Sequence, residues 1–164
     1  MTQQETRTGF GWDSHRLVEG RPLILGGIEL QHDLGLDGHS DADVLTHAVI
    51  DALLGAAGLD DIGTHFPDTD ERWRGADSIA LLAEVAGLLA AAGFTVVNVD
   101  ATICMERPKV GPRRAQMRAR LAGALGLDLS RVNVKATTGE RMGFVGREEG
   151  VAAMAVATLT TASG

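Results

Sequence analysis

Extended, β-branched stretches alternate with three helical ones along this chain, and that interleaving restricts it to a sheet covered by helices. The clearest strand is FTVVNVDATICM, Phe94–Met105, dense in residues that suit a pleated surface. Gly9–His15, Arg131–Ala136 and Gly150–Leu159 read as further strands, and Arg21–Leu30 as extended chain interrupted at Gly26-Gly27. A first helix is expected after Ser40, a natural N-cap, with Asp43 at the third helical position, close to a capping box. Behind it Val44, Leu45, Ala48, Val49, Ala52 and Leu53 keep helical spacing until Gly55 or Gly58. A second helix starts near Asp77 or Ser78 and runs to Gly93, and a third has Pro112 in its first turn and ends at Gly126. The expectation is an α/β (α+β) fold, one two-layer domain over residues 1–164, with the strand order left open.

Only the core's chemistry needs the composition. Aromatics are 4% of the 164 residues and Tyr is absent, so Ala, Val, Leu and Ile must fill the interior. No linker, repeat or low-complexity run divides the chain. The single Cys104 excludes an internal disulfide and suits a reducing compartment. No apolar h-region or bilayer-length stretch is present, so a cytoplasmic location is expected. A formal net charge of -7 argues against a nucleic-acid surface, while a phosphorylated small molecule can still be held by a few local cations.

Asp13 and His15 stand two apart on a strand and so project from one face, able to point at one ion. His47 lies within the first helix, with Asp43 four residues before it and Asp51 four after, placed to orient an imidazole. Two His and one Asp supply zinc with three protein ligands and leave one position open, the pattern of catalytic rather than structural zinc. The bland alternatives are a chance surface pair and a polar-face histidine. Around Gly38–Asp43, capping accounts for Ser40 but not for His39, which a helix N-terminus could also use to receive an anion. The acidic loop Asp60–Asp70 reads either as a solvated turn or as carboxylates, Asp61 and Asp68, that bind sugar or polyol hydroxyls. In Lys135–Glu140, two hydroxyls and a flexible Gly139 could hold phosphate oxygens, and Glu140 beside them suits Mg²⁺.

Together these motifs resemble the 2-C-methyl-D-erythritol 2,4-cyclodiphosphate synthase family of the non-mevalonate isoprenoid pathway. GFGWDSH, RPLILGG, GHSDADVLTHAVIDALLGAAG, DIGTHFPDTD, RGADS, NVD, RPK, VNVKATTGE and GFVGREEG follow in the family's order along nearly the whole chain. The pairing of HSDADVLTHA with DIGTHFPDTD is especially specific. The resemblance implies a homotrimer of subunits, each a sheet with helices on one face, and active sites between subunits.

It implies Zn²⁺ on Asp13, His15 and His47, and a second ion, Mg²⁺ or Mn²⁺, on Glu140. His39 and Thr138 match positions thought to stabilise the transition state, and Ser40 is counted among the substrate-binding residues. Asp61, Ile62, Gly63, Phe66, Pro67 and Asp68 match the ribose and erythritol part of the substrate site. Met105, Pro108, Lys109, Val110 and Gly111 match the nucleotide pocket, with Ala136, Thr137 and Gly139. Phe144 and Arg147 match residues at a trimer cavity that takes isoprenoid diphosphates. The implied reaction is a phosphorus-oxygen lyase step that cyclises 4-diphosphocytidyl-2-C-methyl-D-erythritol 2-phosphate and releases CMP. Gly139 replaces a usual Thr or Ser, Trp12 a usual Phe, and Met154 a usual Glu. Rival readings are a zinc phosphoesterase with a linear product, and a non-catalytic isoprenoid-binding trimer.

Overall fold

The computed structural model describes residues 4–161, and the termini of the expected 1–164 domain lie outside them. β1 (Thr6–Val18) is longer than the Gly9–His15 expected, because it pairs along its length with the last strand, β7 (Gly150–Thr161). β2 (Leu23–Leu25) and β3 (Ile28–Leu30) form a separate hairpin. Its turn is Gly26-Gly27, with φ of 57° and 71°, the two left-handed positions that a two-residue hairpin demands. β4 (Gly35–Leu36) closes the edge of the main sheet beside β1.

α1 spans Val44–Ala57 and ends at Gly58, φ 71°. Its N-cap is Asp43, which displaces the expected start at Ser40. Asp43 is fully buried, and its carboxylate accepts from Thr46 N–H and Thr46 Oγ1 while also taking the amides of Gly26 and Gly27. One acid therefore caps a helix and ties it to the hairpin turn. The short α2 (Ile62–His65) follows, then α3 (Ser78–Ala91), capped by Asp77. β5 (Phe94–Cys104) leads to Pro112, which sits in a 3-10 turn that precedes α4 (Arg114–Leu125). β6 (Val132–Thr137), the short α5 (Gly143–Gly146) and β7 complete the chain.

The main sheet has five strands in the order β4-β1-β7-β5-β6, antiparallel except for the parallel β5–β6 pair. α1 packs across β1 and β7, with α3 and α4 beside it in the same layer. The alternation along the strands shows which face they cover. Val99, Ala101 and Ile103 of β5 and Val151, Ala153, Ala155 and Ala157 of β7 are buried. Phe10, Trp12 and Val156, pointing the opposite way, are 61%, 50% and 41% exposed.

Candidate metal centre

Gly9 and Gly11 of β1 decide how near α1 can come. A Cβ on Gly11 would overlap the Ala48 carbonyl and stand 2.7 Å from Ala52 N, so strand and helix touch backbone to backbone there. Two residues further along the same face stand Asp13 and His15, and next to Ala48 on the helix stands His47. The close approach closes a triangle of donor atoms. Asp13 Oδ2 lies 3.0 Å from His15 Nε2 and 3.1 Å from His47 Nδ1, and the two nitrogens are 3.4 Å apart. Among the described residues, this is the group of three or more His, Cys, Asp or Glu donors that could hold a metal ion.

The donor set fits a small divalent cation. A tetrahedral ion with bonds of about 2.0–2.2 Å has ligand-to-ligand edges of roughly 3.3–3.6 Å, close to the triangle seen. Three donors leave the fourth vertex open. His15 is already oriented, because its Nδ1 donates to the Asp37 carbonyl at 2.8 Å, so that Nε2 is the nitrogen that faces the ion.

Without an ion, the cluster is held by charge. Burial pushes the Asp13 carboxyl up, but hydrogen bonds from His15 and His47 outweigh it and bring it down to about 2. Burial pushes His15 down, and its bond to Asp13 more than reverses this, leaving it above the ordinary histidine value. Asp13 therefore adds stability that is present above about pH 3.9 and lost as pH falls toward 2. His15 adds stability that is complete below about pH 6.5 and lost as pH rises through its raised value. The metal-free protein should lose a few degrees of Tm between pH 6 and pH 8.5. Asp13→Asn should flatten that slope in calorimetry, and an unchanged slope would mean that the pair carries no such linkage.

The centre opens into a cleft of about 410 Å³. His39, Ser40, Ile62, Gly63, Phe66, Pro67 and Asp68, candidates from the resemblance, line it together with Trp73 and Leu81, which the sequence does not single out. Phe66 and Trp73 meet edge to face with centroids 5.0 Å apart, a wall without a local sequence signature. His39 Nε2 reaches the Asp70 carbonyl at 3.2 Å. Asp61 is not among the residues that line the cleft, and its Oδ1 caps α2 by accepting from Thr64 N and Oγ1.

The expected partners of His47 are corrected. Asp43 is spent on its helix cap, and Asp51 Oδ1 accepts from Ile62 N at 2.8 Å. The remaining nitrogen of His47 instead faces Ser78 Oγ at 2.8 Å and Ser40 Oγ at 3.2 Å. Ser40 also accepts from Ala42 N, and Asp41 from Asp43 N, so the amides before α1 are taken internally rather than offered to an anion.

A second group gathers at the ends of β5 and β6. Cys104 pairs with Thr137, and Met105 N donates to the Thr137 carbonyl, which brings Met105 beside Ala136, Thr137 and Thr138. Glu140 and Arg141 have φ of 52° and 61°. Glu106, missed in the sequence, steadies them, because its Oε1 accepts from Gly139 N and Arg141 N. Gly139 has no room for a side chain, since a Cβ would stand 2.7 Å from Gly146 N. Pro108 and Lys109 border a separate, wider groove with Arg21, Glu29 and Arg113, while Val110 is buried and Gly111 opens the turn that precedes α4. Phe144 lies on α5, and Arg147 follows it, paired with Glu149.

These nucleotide-group residues do not line the metal cleft of the same chain. Asp13 pairs with Ala153, Ala153 with Ile103 and Ile103 with Ala136, so three strand spacings, about 14 Å, separate the groups across the sheet.

The model of the family described as YgbB matches residues 6–160. A 2-C-methyl-D-erythritol 2,4-cyclodiphosphate synthase of Symbiobacterium thermophilum is 62% identical over 151 residues, 92% of this chain and 96% of its own. The bifunctional enzyme IspD/IspF of Anaeromyxobacter dehalogenans is 62% identical over 164 residues, all of this chain but 42% of its own length. The chain thus spans about two fifths of that bifunctional relative. Among solved structures, the bifunctional IspDF of Campylobacter jejuni superposes with TM-score 0.93 at 42% identity, covering 97% of this chain and 43% of that one. A CDP-bound 2C-methyl-D-erythritol-2,4-cyclodiphosphate synthase superposes with TM-score 0.85 at 41% identity, covering 93% of this chain and 99% of that one.

Proposed function

The chain belongs to the YgbB family, and we propose on that footing that it is a 2-C-methyl-D-erythritol 2,4-cyclodiphosphate synthase. Its substrate is 4-diphosphocytidyl-2-C-methyl-D-erythritol 2-phosphate. An oxygen of the 2-phosphate bonds to the β-phosphorus while the bond from that phosphorus to the bridging oxygen breaks. CMP leaves with that oxygen and its electrons, and a cyclic diphosphate remains. No water is consumed and no side chain is needed as nucleophile, which agrees with the partly buried Cys104 thiol, pushed up by burial.

The convergence of Asp13 Oδ2, His15 Nε2 and His47 Nδ1 at the base of the cleft carries the reading. Asp13, His15 and His47 would hold Zn²⁺ and Glu140 would hold Mg²⁺ or Mn²⁺, and both ions would supply Lewis acidity toward the phosphate oxygens. Around them the protein orients and encloses. Ile62, Gly63, Phe66 and Asp68 position the polyol, Met105, Pro108 and Lys109 the cytidine, and His39 and Thr138 donate to the charge that develops on phosphorus oxygens. Holding both ends of one flexible molecule in line removes much of the barrier.

Because the two residue groups lie apart within one chain, the reading places each site between subunits of a homotrimer. The exposed apolar face of Phe10, Trp12 and Val156 suits burial in that assembly. Among the described residues no helix is long and apolar enough to cross a membrane, and cytoplasmic action is part of the same reading.

Incubation with the substrate and mass spectrometry test it. CMP with a cyclic product is expected. A linear product would replace this reading by phosphoester hydrolysis, and isoprenoid binding without turnover by a binding protein. Glu140→Gln separates the two ions: zinc should stay at wild-type stoichiometry while the Mg²⁺ needed for half-maximal rate rises by roughly an order of magnitude. Loss of zinc in that variant would show Glu140 to be misassigned.

A further inference from the structure

Asp41 and Ser78 have no part in the reading so far, yet they reach the metal centre from behind. Ser78, the first residue of α3, is fully buried. Its hydroxyl contacts Asp41 Oδ1 on one side and lies 2.8 Å from His47 Nε2 on the other. Asp41 is fixed by two further bonds, Oδ2 accepting from Ser78 N at 2.9 Å and Oδ1 from Asp43 N at 3.1 Å.

The directions of these bonds follow from what each group can do. A carboxylate only accepts, so the proton of the Ser78 hydroxyl points at Asp41. The oxygen then presents lone pairs to His47, and Nε2 must carry a proton. Ser40 Oγ, at 3.2 Å, offers the same proton a second, longer acceptor. Nδ1, 3.1 Å from Asp13 Oδ2, donates to that carboxylate while no ion is bound, and it is the nitrogen whose lone pair is freed when a metal replaces that proton.

We propose that Asp41 and Ser78 are positioning residues that lock His47 in its Nε2–H tautomer and so preset its Nδ1 to bind the metal. The inference rests on the metal-centre reading above. His15 is set independently, by the Asp37 carbonyl on its Nδ1, so the two histidines present opposite nitrogens to one point. The Asp41–Ser78 link also spans 37 residues, tying the loop before α1 to the start of α3. His47 is thus held from an element outside its own helix.

The test uses Ser78→Ala and reads two quantities. In chelator competition the zinc dissociation constant should rise about ten- to a hundredfold, the usual cost of removing the partner of a metal-binding histidine. In the metal-free protein carrying Asp13→Ala, which removes the carboxylate that competes for a proton on Nδ1, ¹⁵N correlation spectra of the His47 ring should show a protonated Nε2 when Ser78 is present and a mixture of tautomers when it is replaced by Ala. Ser78→Thr, which keeps the hydroxyl, should recover most of both. Should Ser78→Ala not fold, Asp41→Asn serves instead, since its amide nitrogen must face groups that only donate to that carboxylate. Zinc binding there should weaken several-fold or more. A folded Ser78→Ala with wild-type zinc affinity and an unchanged tautomer overturns the proposal. If wild type takes up no zinc, the metal-centre reading fails, and the metal-free tautomer still decides this one.

Discussion

His47→Ala should leave a folded protein that takes up no zinc and turns over its substrate at least roughly a thousandfold more slowly. An outer partner of a metal ligand costs about 10–100-fold when removed, and His47 is itself one of the three donors, so its loss should exceed that range. Two remaining protein donors do not meet the three that catalytic zinc sites keep. The stability cost is smaller. His47 is 8% exposed, and removal of its ring leaves the hydroxyls of Ser78 and Ser40 without an imidazole partner. About 1–3 kcal/mol is the usual cost of such a change, too little to unfold a domain of this size. Circular dichroism should therefore remain helical while metal analysis reads zero. Full activity in a variant shown to be zinc-free would remove the centre from the mechanism.

What the sequence disclosed and what it hid divide on one physical line. Asp13 and His15 were legible because strand alternation is strict, so two residues apart means one face whatever the fold. His47 was legible because α1 has a clear helical spacing and Gly58 ends it in the left-handed conformation. In DIGTHFPD the acids Asp61 and Asp68 were legible as groups suited to hydroxyls, but Ile62, Gly63, Phe66 and Pro67 came only with the resemblance, since a loop has no period to read.

The partners of His47 were misread for a related reason. Helical spacing put Asp43 and Asp51 one turn away on either side, but a carboxylate bonds the donor that is nearest in space. Asp43 found the amides of Gly26, Gly27 and Thr46, and Asp51 found Ile62 N. Ser78 comes from 31 residues away, across the packing of α3 on α1, and nothing local announces it. Strand order was hidden likewise. The sequence suggests that β1 is a strand but not that it pairs with β7, which decides that Phe10 lies opposite Val156 and Trp12 opposite Met154 on the open face.

The small residues shared by β1 and α1 set the second large effect. Gly11→Ala adds one methyl, which would overlap the carbonyl of Ala48 and crowd Ala52 N at 2.7 Å. Neither atom is the end of a flexible side chain. Both belong to the backbone of a helix whose face toward the strand is Ala48, Ala52 and Ala56, so no side chain can yield and the helix must shift as a body. Overpacking of this kind costs about 1–3 kcal/mol and occasionally more. With backbone on both sides the upper end is expected, so about 3 kcal/mol or beyond. At roughly 2–4 °C of Tm per kcal/mol, the fall should be about 6–12 °C. The same shift carries His47 away from β1. A donor triangle with sides of 3.0–3.4 Å does not survive displacement of one corner by an ångström, so zinc affinity should fall even in molecules that stay folded. Gly55→Ala is the control, since it lies on the same helix with nothing within 4 Å of its Cβ. It should be neutral or stabilising by up to about 1 kcal/mol, with unchanged zinc affinity. If calorimetry and zinc titration show Gly11→Ala behaving like Gly55→Ala, the backbone contact does not set the spacing on which the metal centre depends.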